Sequence, residues 1–521
     1  MSPRLSRRSI LVAGVGMVGL AATAACGADS PSPSASPGAS PGTPRRGGKL
    51  RVGVIGSSGN IYDPHFTSSD TDQGRGQQIA DSLALLAPDL PYRAELALAE
   101  SFEMNADATV ATIRLRSGVE FHHGKSLTAD DLIFSLQRIL DPDNPGRAAS
   151  SLASIDPNAI KKLDNLTVEL TLKTPDSLLP TRWGSSQTSI LPTDFDPAKP
   201  VGTGPWVMQS FQAGARSTYK AFPNYWREGQ PYLDELEIID FADNTPRMAA
   251  LLAGQVDAID GVDSTLIPQL PPTGFTTVIT KSGFYQPITM RVDSAPFNDP
   301  NVRLAMKLLV DREQMVQQAY SGLGEIANDM PCPGDPGYPD LPQREQDIEQ
   351  AKSLLKNAGY EGLTITLNTS AQNGGMVNSA QVYAEQAKAA GVTVNINIQD
   401  AATWSANHKE DQFKQNYWAA GLVGGSWSQR WSEGGRSNES LWQDPEGDQI
   451  YNQLLSTTDP AKQAEYSGQL LTKLYESGPD IIHSFKSNVD LTTDKLKGVI
   501  PMESNGWNLG SWRYRLMWLE G

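Results

Sequence analysis

The sequence predicts an α/β protein, and three observations carry that prediction. Strand patterns of period two alternate with helical stripes of period 3.6, most regularly over residues 245–398, and such alternation lays helices onto sheets. The 521 residues provide for about three domain-sized units. After residue 26 no apolar run approaches the roughly 18 residues that a membrane helix requires, so any hold on a membrane has to act at the N-terminus. A balance of 43 basic against 59 acidic side chains, net −16, speaks against a broad nucleic-acid surface and for a soluble one.

Arg7 and Arg8 precede an uncharged stretch, residues 10–25, rich in Gly, Ala and Val. That is the pattern of a twin-arginine signal peptide, expected over residues 1–25. Thr23-Ala24-Ala25-Cys26 sets small residues before a cysteine and resembles a bacterial lipobox, with Thr23 where Leu is commoner. Cys26 is therefore the expected lipidation site; the alternative is an ordinary secretory peptide that leaves Cys26 free. Residues 28–46 are Ser, Pro, Ala and Gly with almost no apolar bulk, so residues 26–46 read as a lipidated cysteine and tether, reaching up to ~60 Å if polyproline-like. Gly14, Gly16 and Gly19 spell GxGxxG, but no strand precedes them, and a dinucleotide site is rejected. With Cys26 lipidated, Cys332 has no partner and no disulfide is expected.

Residues 48–55 read as the first strand. Ala111, Ile113 and Leu115 alternate with Thr112, Arg114 and Arg116 as a half-buried strand does. Thr128 stands three residues before Asp131, the spacing of a capping box, and Leu132, Ile133, Leu136, Ile139 and Leu140 then form one stripe that Asp141-Pro142 ends. Residues 166–172 form another strand. In Val201-Gly202-Thr203-Gly204-Pro205-Trp206 the glycines admit a close backbone neighbour just before a strand. A helix over 245–253 ends at Gly254, and a strand over 256–259 follows. Asn298 and Asp299 before Pro300 open a helix striped by Val302, Ala305, Met306, Leu309 and Val310. A second helix starts at Asp311 and closes near Gly322. Ile348, Ala351, Leu354, Leu355 and Ala358 form a stripe stopped by Gly359, followed by strand 363–367, helix 377–390 and strand 392–398. This succession implies a mostly parallel sheet.

LAESFE at 98–103, LRSGVEFHHGKSLTADDLIFSLQR at 115–138, the Gly202 to Trp206 run and PFNDPNVRLAMKLLVDREQMV at 296–316 together resemble the oligopeptide/dipeptide class of ABC-importer solute-binding proteins, family 5. Scattered blocks of resemblance cover roughly residues 48–500 and are weakest over 400–450. The resemblance implies a two-domain periplasmic-binding-protein-like fold of type II with a ligand cleft between the domains. The first domain would take residues 47–285 and 487–521, with an extra lobe at about 80–198 remote from ligand, and the second residues 286–486. Hinge strands are expected near 285–292 and 482–490, closing the domains about the ligand. Ile61-Tyr62-Asp63-Pro64 resembles the family's turn beside the cleft, which makes Tyr62 a candidate ligand contact.

Chemistry beyond binding is scarce. Gly124-Lys125-Ser126 invites a P-loop reading, but the first glycine that motif needs would fall at Val119. The five histidines, at 65, 122, 123, 408 and 483, have no zinc spacing, and His122-His123 read as a solvated pair in a turn, with nickel or heme chelation as the lesser alternative. There is no GxSxG elbow. No metal, cofactor or catalytic residue is assigned. Five of the eleven tryptophans, Trp404, Trp418, Trp427, Trp431 and Trp442, fall in one stretch rich in Gly, Ser, Asn and Gln, a composition able to stack on and orient a polar ligand. Packing is the rival account of each. In peptide-binding relatives a Gly-Trp-x-Gly-Asp run supplies an aspartate for the ligand's ammonium group; here the run is Gly421-Leu422-Val423-Gly424-Gly425. Gly425 stands at the aspartate position and Leu422 at the tryptophan position, and Asp411 is the nearest acid that another register would recruit. Trp427 and Trp431 are the preferred stacking platforms, with Trp404, Trp418 and Gly425 as further candidates.

The sequence is thus read as a lipoprotein on the outer face of the bacterial cytoplasmic membrane, not an enzyme and expected to be a monomer. It would capture an oligopeptide or peptide-like solute and deliver it to an ABC permease and ATPase complex. The alternatives are an oligosaccharide-binding member of the same family and, in a different class, a secreted glycoside hydrolase using two carboxylates beside tryptophans.

Overall fold

The computed structural model describes residues 42–520 apart from Ser68, His408, Asn505 and Trp507. The signal segment with its glycine run, Cys26 and the tether up to residue 41 lie outside the described residues, as does His408.

Two sheets organise the chain. The first has seven strands in the order Phe275–Thr280, Asn488–Thr493, Ala258–Ile259, Lys49–Ile55, Glu235–Phe241, Arg216–Ala221 and Trp206–Gln212. Leu50, Val52 and Val54 of its central strand are buried, the period of two that the sequence shows over 48–55. The second has five strands in the order Thr393–Gln399, Thr364–Ser370, Phe413–Gln415, Ile288–Met290 and Asp480–Ile481. The chain crosses from the first to the second between Thr280 and Ile288 and returns between Ile481 and Asn488, and Tyr285 pairs with Phe485 where the two crossings run side by side.

The expectation of a mostly parallel second sheet needs correction. Thr364–Ser370 pairs in parallel with Thr393–Gln399 and Phe413–Gln415, but Ile288–Met290 runs antiparallel to both of its neighbours. That strand enters directly from the crossing rather than through a helix, and only a crossover connection makes parallel neighbours. Helices Pro300–Leu308, Arg312–Tyr320, Ile348–Asn357 and Met376–Ala387 pack on this sheet through the predicted stripes, burying Val302, Ala305, Met306, Ala351 and Leu355.

A third body stands on its own core. Strands Ala99–Met104, Val110–Leu115, Thr167–Leu172 and Ile155–Lys162 form an antiparallel sheet covered by helix Ala129–Ile139. The predicted capping box is present: Asp131 Oδ2 accepts from Thr128 N at 2.9 Å, worth about 1 kcal/mol. Lys125 donates to the other Asp131 oxygen at 2.7 Å, so the Gly124-Lys125 turn serves the helix start and not a phosphate. His122 is less solvated than expected: its Nε2 lies 2.9 Å from the Gly204 carbonyl, and burial lowers its pKa to about 4.

Candidate functional site

Gly202 and Gly204 show why the loop at 201–206 needs glycine. A Cβ on Gly202 would lie 2.0 Å from the Ile79 carbonyl oxygen, and one on Gly204 2.5 Å from the Ile79 carbonyl carbon. The loop thereby closes on the end of helix Asp70–Ile79, with Gly204 N donating to Ile79 O at 2.9 Å. That helix presents Gln73 and Gln77, one turn apart, to a cavity of about 340 Å³.

Three bodies wall the cavity. Opposite Gln73 and Gln77 stand Trp418, Gly421, Leu422, Gly425, Gln429 and Arg430 of the segment containing helix Val423–Arg430. Thr181, Arg182, Ser185 and Ser186 close a third side. Ser511 and Trp512 come from a left-handed turn in which Leu509, Ser511 and Trp512 have φ of 44°, 57° and 54°. Each such non-glycine residue costs roughly 1–2 kcal/mol. Buried Asp490 helps hold the turn, accepting from Leu509 N at 2.8 Å. Gly74 lets Trp512 lie against the cavity helix, where a Cβ would sit 3.0 Å from the indole.

The wall includes Arg182 and Arg430 and, among its described residues, no Asp or Glu. Arg430 is buried at the floor, donating to Tyr285 Oη at 2.6 Å and Asp480 Oδ2 at 2.8 Å. Its guanidinium lies 4.6 Å from the Trp418 ring and 4.5 Å from the Trp431 ring. Burial works against this charge, but Asp480 and Tyr285 outweigh it and hold the pKa above the usual arginine value. Nearby, burial raises the Glu439 carboxyl to about 7 against the pull of Lys414 and Arg430. Arg182 is fixed by Asp176, with Nε at 2.8 Å and Nη2 at 3.0 Å from its carboxylate oxygens.

Of the candidates drawn from sequence, Trp418 and Gly425 line the cavity. Space around Gly425 is open: a Cβ there would meet nothing within 4 Å. Trp427 and Trp431, the preferred platforms, require correction. They are 0% and 1% exposed, lie in a core with Met330, Leu454 and Leu470, and donate their indole N–H groups to Asp448 at 2.8 Å and Asp480 at 3.1 Å. Trp442 packs edge-on against Trp427 in the same core. Trp404 is also turned inward, stacked on Tyr417 at 5.9 Å and donating to Gln415 O. Tyr62 is buried against the first sheet, its hydroxyl 2.8 Å from that of Tyr219, away from the cavity wall. Asp411 is not part of the wall, and Asp335 is engaged in capping Val423 N at 2.9 Å. Cys332 is buried 3.6 Å from Ser426 Oγ, and burial pushes its thiol up to about 12.

A second correction concerns the lobe. It is not remote from the cavity, because the chain at 178–186, beyond the lobe sheet, contributes Leu178, Arg182, Ser185 and Ser186 to the wall. Sequence reasoning also missed Gln73, Gln77, Gln429, Arg430, Ser511 and Trp512. The one usable signal was spacing: Gln73 and Gln77, like Ser426 and Gln429, sit a helical turn apart as polar pairs.

The model for bacterial extracellular solute-binding proteins, family 5 (middle), matches residues 93–444. The glutathione-binding protein GsiB of Shigella flexneri is 26% identical over 472 residues, 85% of this chain and 89% of that protein. Among solved structures, the PBP AgaA in complex with agropinic acid from A. tumefaciens R10 superposes with a TM-score of 0.75 at 24% identity, covering 91% of this chain and 99% of AgaA. DppA from Helicobacter pylori in complex with the peptide STSA gives a TM-score of 0.75 at 21% identity, covering 92% and 99%. The fold is thus the two-domain type II periplasmic-binding-protein fold, and the chain belongs to the bacterial extracellular solute-binding proteins of family 5.

Proposed function

We propose that this chain is the membrane-anchored receptor of an ABC importer, held outside the cell membrane by lipid on Cys26, and that its solute is a small peptide-like molecule lacking a free ammonium group. The observation that carries the solute class is the composition of the wall: two arginines, amide and hydroxyl residues, and no Asp or Glu among its described residues. An ammonium group brought here would give up its water against two arginines whose carboxylate partners are already engaged, and with no carboxylate in the wall the cost is several kcal/mol. An acyl or lactam nitrogen pays no such cost, and carboxylate or carbonyl oxygens would find Arg182, Arg430, Gln73, Gln77 and Gln429. A cavity of about 340 Å³ suits a molecule of two or three residues rather than a long peptide. A hydroxylated, saccharide-like solute is the second reading, favoured by the indoles of Trp418 and Trp512 beside those amides.

The relatives fit a receptor for small solutes: one is named for binding glutathione, and two neighbours hold agropinic acid and the peptide STSA. We read the crossings at 280–288 and 481–488 as the hinge that closes residues 286–486 on the first domain. A thermal-shift screen of free and N-acetylated di- and tripeptides, lactam acids and oligosaccharides tests the reading. Solute at a hundred times its Kd should add ~2.7 kcal/mol of stability, and stabilisation confined to free-amine peptides would refute it.

A further inference from the structure

The lobe does more than line the cavity. Helix Pro445–Leu455 ends at Ser456, whose N–H turns back to Asn452 and Gln453, so the carbonyls of Leu454 and Leu455 need partners from elsewhere. Ser177, at the end of the lobe sheet, supplies both: its N–H donates to Leu455 O at 2.9 Å and its hydroxyl to Leu454 O at 2.7 Å. The next residue, Leu178, fills a slot between the two helices. A Cβ on Gly424 would stand 2.7 Å from Leu178 Cδ1 and 2.9 Å from Leu454 Cδ2, so the slot exists only because residue 424 is glycine. Arg182, four residues on, interacts electrostatically with Tyr451 of the same helix while two contacts to Asp176 hold it.

We propose that Ser177, Leu178 and Arg182 form a clasp by which the inserted lobe grips helices Val423–Arg430 and Pro445–Leu455 and shuts the solute cavity. Arg182 would then be the specificity-determining residue that the closing lobe delivers into the wall. This rests on the cavity being the solute site, yet its architecture is separate from the crossings at 280–288 and 481–488. Those fix the axis about which the two large sheets move; the clasp fixes the far ends of two helices to a third body. Its hydrogen bonds are few and go to the last carbonyls of one helix, which suits a contact that opens and reforms without unfolding anything.

Hydrogen exchange at the Ser177 amide reads the clasp in the protein as it stands, with no solute required. The amide should be protected, but should open far more often than those of Val168 and Leu170 in the lobe sheet. Gly424→Val, which overfills the slot, should raise its exchange rate about tenfold or more while leaving Val168 and Leu170 unchanged. Exchange at Ser177 as fast as an exposed amide, or as slow as the lobe core, would overturn the proposal, as would an unchanged Ser177 rate in Gly424→Val. Failure of the solute screen would leave each of these readouts intact, so the two ideas fall separately.

Discussion

Replacing Gly425 by aspartate puts a carboxylate where the sequence resemblance implies that peptide-binding relatives carry one, and the structure fixes what should follow. Gly425 is the third residue of helix Val423–Arg430 and faces the cavity with no atom within 4 Å of a Cβ, so the side chain enters without a clash. Removing a helical glycine and adding an acid in the first turn each favour the helix by about 0.3–1 kcal/mol. Gly425→Asp should therefore leave stability unchanged or raise it by about 1 kcal/mol. Its effect on binding is the larger one. A carboxylate at a partly open wall facing a solute ammonium is worth roughly 1.5–3 kcal/mol, or about 10- to 100-fold in Kd. The assay is calorimetry on the dipeptide Ala-Phe with a free and with an acetylated N-terminus, using wild type and variant in parallel. The ratio of the two affinities should move toward the free amine by that factor in the variant. An unchanged ratio would refute the reasoning, as would a wild type that already prefers the free amine a hundredfold.

Other expectations follow from the same geometry. Trp427→Ala, which empties a fully buried site and strands Asp448, should cost about 3–5 kcal/mol in denaturant unfolding, whereas Trp418→Ala at the cavity wall should cost less stability and weaken whatever solute the screen identifies. Glu439 is raised from the ordinary glutamate value of 4.5 to about 7, so the folded state holds its proton where the unfolded chain has released it, and stability should fall as pH rises from about 4.5 to about 7, by at most ~3 kcal/mol. Glu439→Gln should flatten that part of the profile; an equal slope in both proteins would show that the charge on Glu439 is not its source. Cys26→Ser should release the protein from the membrane fraction, since without acyl chains no stretch after residue 26 is apolar enough to hold it; full retention would rule out the lipid anchor.

Local features were legible because local physics decides them. The capping box at Thr128 and Asp131, the start at Asp299-Pro300 and the stripes of helices Pro300–Leu308 and Ile348–Asn357 each need only a few neighbouring residues to be recognised. The cavity was not legible, because its wall is gathered from segments as far apart as Gln73 and Trp512, and no spacing in the chain relates them. Even the direction of one strand, Ile288–Met290, depended on its arriving by a crossing rather than after a helix.

The tryptophans are the instructive case, since composition argued one way and periodicity another. Val423, Trp427 and Trp431 recur every fourth residue, which places them on one face of a helix, and that face is the one buried on Leu454 and Leu470. Leu422, Gly425, Ser426 and Gln429 follow the complementary i, i+3, i+4, i+7 pattern, and that face lines the cavity. Applied to this short helix, the period that located the other helices assigns the indoles to the core and leaves the solute a glycine, a hydroxyl and an amide. Arg430, at the boundary of the two faces, joins the core to the cavity wall, and its charge is anchored by Asp480 on the strand and Tyr285 on the crossing. A helix that gives its aromatic face to the core offers the cavity Gly425, Ser426, Gln429 and, at its end, Arg430, but no carboxylate, and on the proposed reading such a surface would favour molecules rich in acceptors over those bearing an ammonium.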